Sequence, residues 1–105
     1  MKFLSKLRRL AAKSTHRFAF HSTLLLRGGA PVAWGYNHGE RHSEVVALGK
    51  VRFNGEGLTA INFRLGKSGE SRLSKPCTDC HRILLTAGVK RCYYSSSNGE
   101  FERLF

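Results

Sequence analysis

Apolar residues recur every three to four positions at the start of this chain and every second position further on, and that change of period lays out most of its elements. Leu4, Leu7, Leu10 and Ala11 share one helical face, while Lys2, Lys6, Arg8, Arg9 and Lys13 take the other positions. The spacing predicts an amphipathic helix over residues 3–13, within an N-terminal segment 1–13, whose apolar stripe covers one side of a sheet. A helix lying on a membrane or on nucleic acid is the competing reading of the same pattern. β-rich runs follow at 20–27 and 31–36. Gly28-Gly29 between them suits a tight hairpin turn, because glycine takes positive φ without steric cost. Over residues 57–65, Thr59, Ile61, Phe63 and Leu65 form a mostly apolar set opposite Leu58, Ala60, Asn62 and Arg64, which predicts a third strand.

The rest of the chain is punctuated by turn residues. Residues 44–48 (EVVAL) are expected to be helical despite two valines, with Gly49 or the segment after it as the stop. Residues 66–75 are polar and rich in Gly and Ser, which predicts a loop. Pro76 suits the first turn of a helix, where its missing N–H costs nothing, and Gly88 ends that helix. A fourth strand is predicted at 89–94. Asn98-Gly99 is a hairpin signal, so residues 100–105 fold back as a fifth strand antiparallel to the fourth.

At 105 residues the chain is expected to be one domain, 1–105, with a single modest core. Lys and Arg number 18 against 7 Asp and Glu, a net charge of +11, and no acidic residue precedes Glu40. That balance favours polyanionic partners, either nucleic acid or phosphorylated nucleotides, over the plainer reading of a basic surface that aids solubility. Lys6, Arg8 and Arg9 break the apolar start at once, so neither a signal-peptide core nor a membrane span is expected. A basic transit peptide is the alternative. Three cysteines, two of them in one C-x-x-C, do not read as a disulfide framework and point to a reducing, cytoplasmic setting.

The chemistry sits in two short motifs, His42-Ser43-Glu44 and Pro76-Cys77-Thr78-Asp79-Cys80. One imidazole and two thiolates make a three-ligand set for one Zn2+ per chain and leave the fourth position to water. A zinc-bound water has its pKa lowered from about 16 toward 7, so a neighbouring carboxylate, Glu44, can deprotonate it and hand the proton to a leaving group. Cys77 and Cys80 lie one helical turn apart on one face, and a helix N-terminus favours their thiolate form.

The spacing resembles the zinc-dependent cytidine and deoxycytidylate deaminase superfamily, whose signature is H-x-E followed by P-C-x-x-C. The likeness extends to the hairpin of residues 21–37 and to Ile83–Tyr94, which is similar to the family's helix running into its fourth strand. It covers roughly residues 14–103 and implies a three-layer α/β/α sandwich around a mixed five-stranded sheet. By the same resemblance His42, Cys77 and Cys80 are the zinc ligands, Glu44 is the proton shuttle, and Asn37 contacts the substrate's sugar. Ser43 stands where Ala or Val is more usual, at a position whose backbone amide meets the substrate in the family. The implied reaction is hydrolytic deamination of cytosine to uracil.

Several alternatives remain open on the residues alone. Cys77-Thr-Asp-Cys80-His81 also spells a c-type haem motif, but Met1 is the only methionine and no export signal is read. A closed structural zinc would take Cys92, His81 or His38 as fourth ligand. Trp34, Tyr36 and Phe63 either stack on a base or pack in the core. The substrate is expected to be a free cytosine nucleoside or nucleotide. Single-stranded DNA or RNA held by Arg17, Arg41, Lys67, Arg72 and Lys75 is the runner-up, and a purine substrate uses the same metal logic. A non-catalytic, zinc-stabilised nucleic-acid-binding module is the reading from another class. Oligomeric state is left open by the sequence, although relatives often pair or form tetramers to complete their pockets.

Overall fold

The computed structural model describes residues 2–105, so Met1 of the predicted N-terminal segment lies outside the described residues. The first helix, α1 (Leu4–Ala11), forms on the stripe its sequence presents and buries Leu7, Leu10 and Ala11. Then come the hairpin strands β1 (Phe20–Arg27) and β2 (Ala30–Tyr36), helix α2 (Ser43–Gly49), strands β3 (Thr59–Leu65) and β4 (Ser71–Arg72), helix α3 (Thr78–Thr86), and strands β5 (Arg91–Ser95) and β6 (Phe101–Arg103). The sheet runs β2-β1-β3-β5-β6, with β4 attached to the end of β3. β3 and β5 pair in parallel through the α3 crossover, and every other pair is antiparallel.

Strand alternation divides the core into two sides. Leu24, Leu26, Ile61 and Phe63 meet Leu7, Leu10 and Ala11 of α1. Leu25, Ala33, Ala60 and Cys92 meet Ala47 and Leu48 of α2 and Leu84 of α3. The expected α/β/α layering and mixed sheet are therefore present, with α1 packing on the sheet. The five-strand count is corrected to six. Gly66 to Gly69 turns the chain back, with Gly66 N–H donating to the Glu70 carbonyl at 2.7 Å, and Arg72 and Ser71 then pair with Arg64 and Leu65. Two polar residues carry no alternation, so this strand left no hydrophobic signal.

The terminal hairpin forms as expected, with Tyr93, Tyr94 and Ser95 opposite Arg103, Glu102 and Phe101. Gly88, at φ 90°, stops α3. The Val89 N–H then closes on the Leu84 carbonyl at 3.1 Å, the bond of a Schellman-type end that needs a left-handed residue. Among the described residues no helix is long and apolar enough to cross a membrane.

Candidate active site

Two helix starts face each other on the α2/α3 side of the sheet. After β2, a tight loop is closed by reciprocal backbone bonds between His38 and Arg41, at 3.0 and 2.9 Å. It delivers His42 in an extended conformation as the N-cap of α2, with no capping bond from its side chain. The imidazole is thus free to point away from the helix. α2 sits unusually close to β2, because a Cβ at Gly35 would lie 2.8 Å from Val46 Cγ1 and 2.9 Å from the Ala47 nitrogen. Across the gap, Cys77 caps α3 and its Sγ accepts from the Cys80 N–H at 3.5 Å. The expectation of both cysteines inside the helix is refined: Cys77 is the cap, and Cys80 lies in the first turn.

His42 Nδ1 lies 3.1 Å from Cys80 Sγ and 3.9 Å from Cys77 Sγ. The three ligand atoms all fall within 4.8 Å of one another. A tetrahedral zinc with bonds of about 2.0 Å to nitrogen and 2.3 Å to sulfur separates its ligand atoms by roughly 3.5–3.8 Å, so the donor set fits such an ion. Among the described residues no fourth His, Cys, Asp or Glu joins the group. Cys92 is fully buried in the core, where burial, with Glu44 adding, pushes its thiol up to about 12. His81 instead stacks on Phe105 at 5.4 Å. Burial also pushes the Cys80 thiol up, and the charges of Glu44 and Cys77 add to the effect.

Glu44, in the first turn of α2, is only 5% exposed, so its carboxylate needs protein partners. Asn62 Nδ2 donates to Oε2 at 2.9 Å, and Ser43 Oγ lies 3.2 Å from Oε1. Asn62 is held in turn by Thr23 Oγ1, which donates to its Oδ1 at 2.7 Å and also lies 2.8 Å from Ser43 Oγ. The sequence reading passed over Thr23 and Asn62. The available signal was an Asn in mid-strand, a residue depleted in strands, on the face opposite the apolar set.

His42, Cys77 and Glu44 open onto a cavity of about 550 Å³ that is also lined by His21, Asn37, Arg41, Arg64 and Lys75. Its size is that of a small-molecule site. His21 sits beside Arg64 across β1 and β3. Burial first, then the charges of Arg64, His42 and His16, lowers its pKa to about 4. Asn37 lines the cavity, but its side chain already bonds the start of β1 and the segment before it: Oδ1 accepts from Ser14 Oγ at 2.5 Å and His21 N–H at 2.9 Å, and Nδ2 donates to the Ala19 carbonyl at 2.7 Å. One N–H is left for a ligand.

Trp34 is not brought to the site, which corrects its expected substrate contact. It pairs with Leu24 and so faces α1, where the Lys6 ammonium lies 3.7 Å from its ring centre. Of the five basic residues expected around a cleft, Arg41 and Lys75 line the cavity, with Arg64 in addition. Arg17 and Lys67 instead flank the exposed Phe18 ring, at 5.7 and 6.0 Å, and Arg72 pairs with Glu70 at 3.8 Å.

No protein-family model and no curated protein matches the chain. Among solved structures it is similar to the dCMP deaminase of cyanophage S-TIM5, with a TM-score of 0.67 at 18% identity over 90% of this chain and 80% of that one. It is also similar to the diaminohydroxyphosphoribosylaminopyrimidine deaminase/5-amino-6-(5-phosphoribosylamino)uracil reductase of Thermotoga maritima, with a TM-score of 0.66 at 18% identity. That match covers 90% of this chain and 28% of the longer one. At such identity the likeness is one of fold. The chain thus has the fold of these two deaminases and a His42/Cys77/Cys80 group that could hold a metal ion.

Proposed function

We propose that the chain is a zinc-dependent deaminase that converts cytosine to uracil in a free nucleoside or nucleotide such as cytidine, deoxycytidine or dCMP. One observation carries this reading: His42 and Cys77 of a His/Cys/Cys group suited to zinc line the same small-molecule cavity as a buried, hydrogen-bonded carboxylate. A Zn2+ held by His42, Cys77 and Cys80 would supply Lewis acidity, lowering the pKa of a bound water to about 7. Glu44 takes a proton as water adds to C4 and returns it to the exocyclic nitrogen, which leaves as ammonia. The Ser43 backbone amide and the remaining Asn37 N–H orient the base and sugar. Arg41, Arg64 and Lys75 supply positive charge for a 5′-phosphate.

A second reading has its own support. Phe18 is 65% exposed between Arg17 and Lys67, and His16, two residues earlier, lines the cavity. An aromatic flanked by cations suits a neighbouring base and its phosphates in single-stranded nucleic acid. The proposed setting is the cytoplasm, with self-association to complete the cavity wall.

The test is ammonia or uracil release by zinc-loaded protein on dCMP, cytidine and a cytosine-containing single-stranded oligonucleotide, with Glu44→Ala alongside. Turnover of the small substrates, lost in Glu44→Ala while zinc content is kept, is the expected result. Turnover of the oligonucleotide alone would favour the second reading. Activity retained in Glu44→Ala would overturn both.

A further inference from the structure

We infer that Asn62 is a positioning residue that fixes the Glu44 carboxylate and couples it to the segment bearing the cysteines, an inference that rests on Glu44 acting as the proton carrier. Hydrogen counting singles out Asn62 over its neighbours. A carbonyl oxygen only accepts, so the 2.7 Å contact between Thr23 Oγ1 and Asn62 Oδ1 uses the one hydroxyl hydrogen of Thr23. The 2.8 Å contact between Thr23 and Ser43 must then use the hydrogen of Ser43. Nothing remains for the longer 3.2 Å approach of Ser43 to Glu44 Oε1. Asn62 Nδ2 is therefore the side-chain donor committed to the carboxylate, at 2.9 Å from Oε2.

The amide of Asn62 has only one orientation that works. Nδ2 faces two acceptors, Glu44 Oε2 and the Ser74 carbonyl at 3.5 Å. A flipped amide would set oxygen against both. The Asn62 backbone carbonyl in turn accepts from Ser74 Oγ at 3.0 Å. Ser74 belongs to the segment that leads through Pro76 to Cys77, and the Ser95 N–H binds its Oγ at 2.7 Å. Through its side chain and its backbone carbonyl together, Asn62 on the central strand β3 thus ties β1, α2 and the cysteine-bearing segment to one another. Asn62 is 1% exposed and does not line the cavity, so it acts through Glu44 and not on substrate.

The experiment compares wild type, Asn62→Ala, Thr23→Val and Thr23→Ser for kcat, KM, zinc content and melting temperature on the best small substrate. Misplacing a catalytic group by about 1 Å costs on the order of 100-fold in rate. Asn62→Ala is expected to lose about that much in kcat, with KM and zinc content little changed. Thr23→Val is expected to lose part of it, and Thr23→Ser to restore most of what Thr23→Val loses. Wild-type kcat in Asn62→Ala, or an equal fall in kcat and zinc content, would overturn the inference and leave the deaminase reading standing. If Asn62→Ala does not fold, the Thr23 pair decides, and equal rates in Val and Ser overturn it. A wild type silent on every substrate would overturn the deaminase reading, and this inference with it.

Discussion

His21 carries a stability consequence of its own. Its imidazole is held neutral by burial, beside Arg64, with a folded pKa of about 4 against an ordinary 6.5. Between those values the unfolded chain binds more protons than the folded one. The contribution is therefore complete above about pH 6.5 and is lost as pH falls toward 4. A shift of that size sets an upper bound of about 3 kcal/mol. Denaturant unfolding between pH 7 and 4 should show stability falling across this window, and His21→Gln should flatten that part of the curve. At this scale the sequence was legible where chemistry demands a spacing. The two motifs carry His42, Cys77 and Cys80, and the structure gathers their candidate donor atoms within 4.8 Å of one another. Asn62 and Thr23 had no such spacing to betray them, because their roles come from a register, Thr23 opposite Asn62, that only strand pairing reveals. Trp34 was misplaced for the related reason that aromatics read alike on either face until the register is known.

The elements act as carriers for these side chains, and at Gly35 the fit between β2 and α2 is close. Any side chain there meets the backbone of α2 at 2.9 Å, so the helix must move away from the sheet. Gly35→Ala is expected to cost about 1–3 kcal/mol, typical of overpacking, as a lower denaturation midpoint. Because His42 and Glu44 ride on α2, the same variant should also weaken zinc binding, measured by competition with a chromogenic chelator. Chelating the metal should lower the melting temperature of the wild type, since an ion bound at 100 times its Kd contributes about 2.7 kcal/mol. The helices, the first hairpin and the terminal hairpin were readable from periodicity and glycine placement. β4 was not, for its two polar residues are recruited by the turn at Gly66–Gly69 and not by any apolar face.

At the scale of the molecule, charge dominates. Cations outnumber acidic groups 18 to 7, and among the described residues a single ion pair, Arg72 with Glu70, is formed. The Cα radius of gyration is 12.1 Å, not far above the Debye length of about 8 Å at physiological ionic strength. The field of the whole surface therefore reaches the cavity mouth at low salt and fades as salt rises. The KM for dCMP is expected to increase with ionic strength while that for cytidine stays nearly constant, as steady-state kinetics at several salt concentrations would show. The strand order has a different consequence, in time. All three candidate zinc ligands precede β5 in the chain, yet β5 pairs with β3 in the sheet, and Val89 and Cys92 share a core cluster with Leu84 of α3. A nascent chain synthesised only through α3 already carries His42, Cys77 and Cys80 but lacks Val89 and Cys92, part of the core against which Leu84 of that helix packs. Zinc affinity is therefore expected to be lower in a chain ending after α3 than in the full chain, as chelator competition on the two would check.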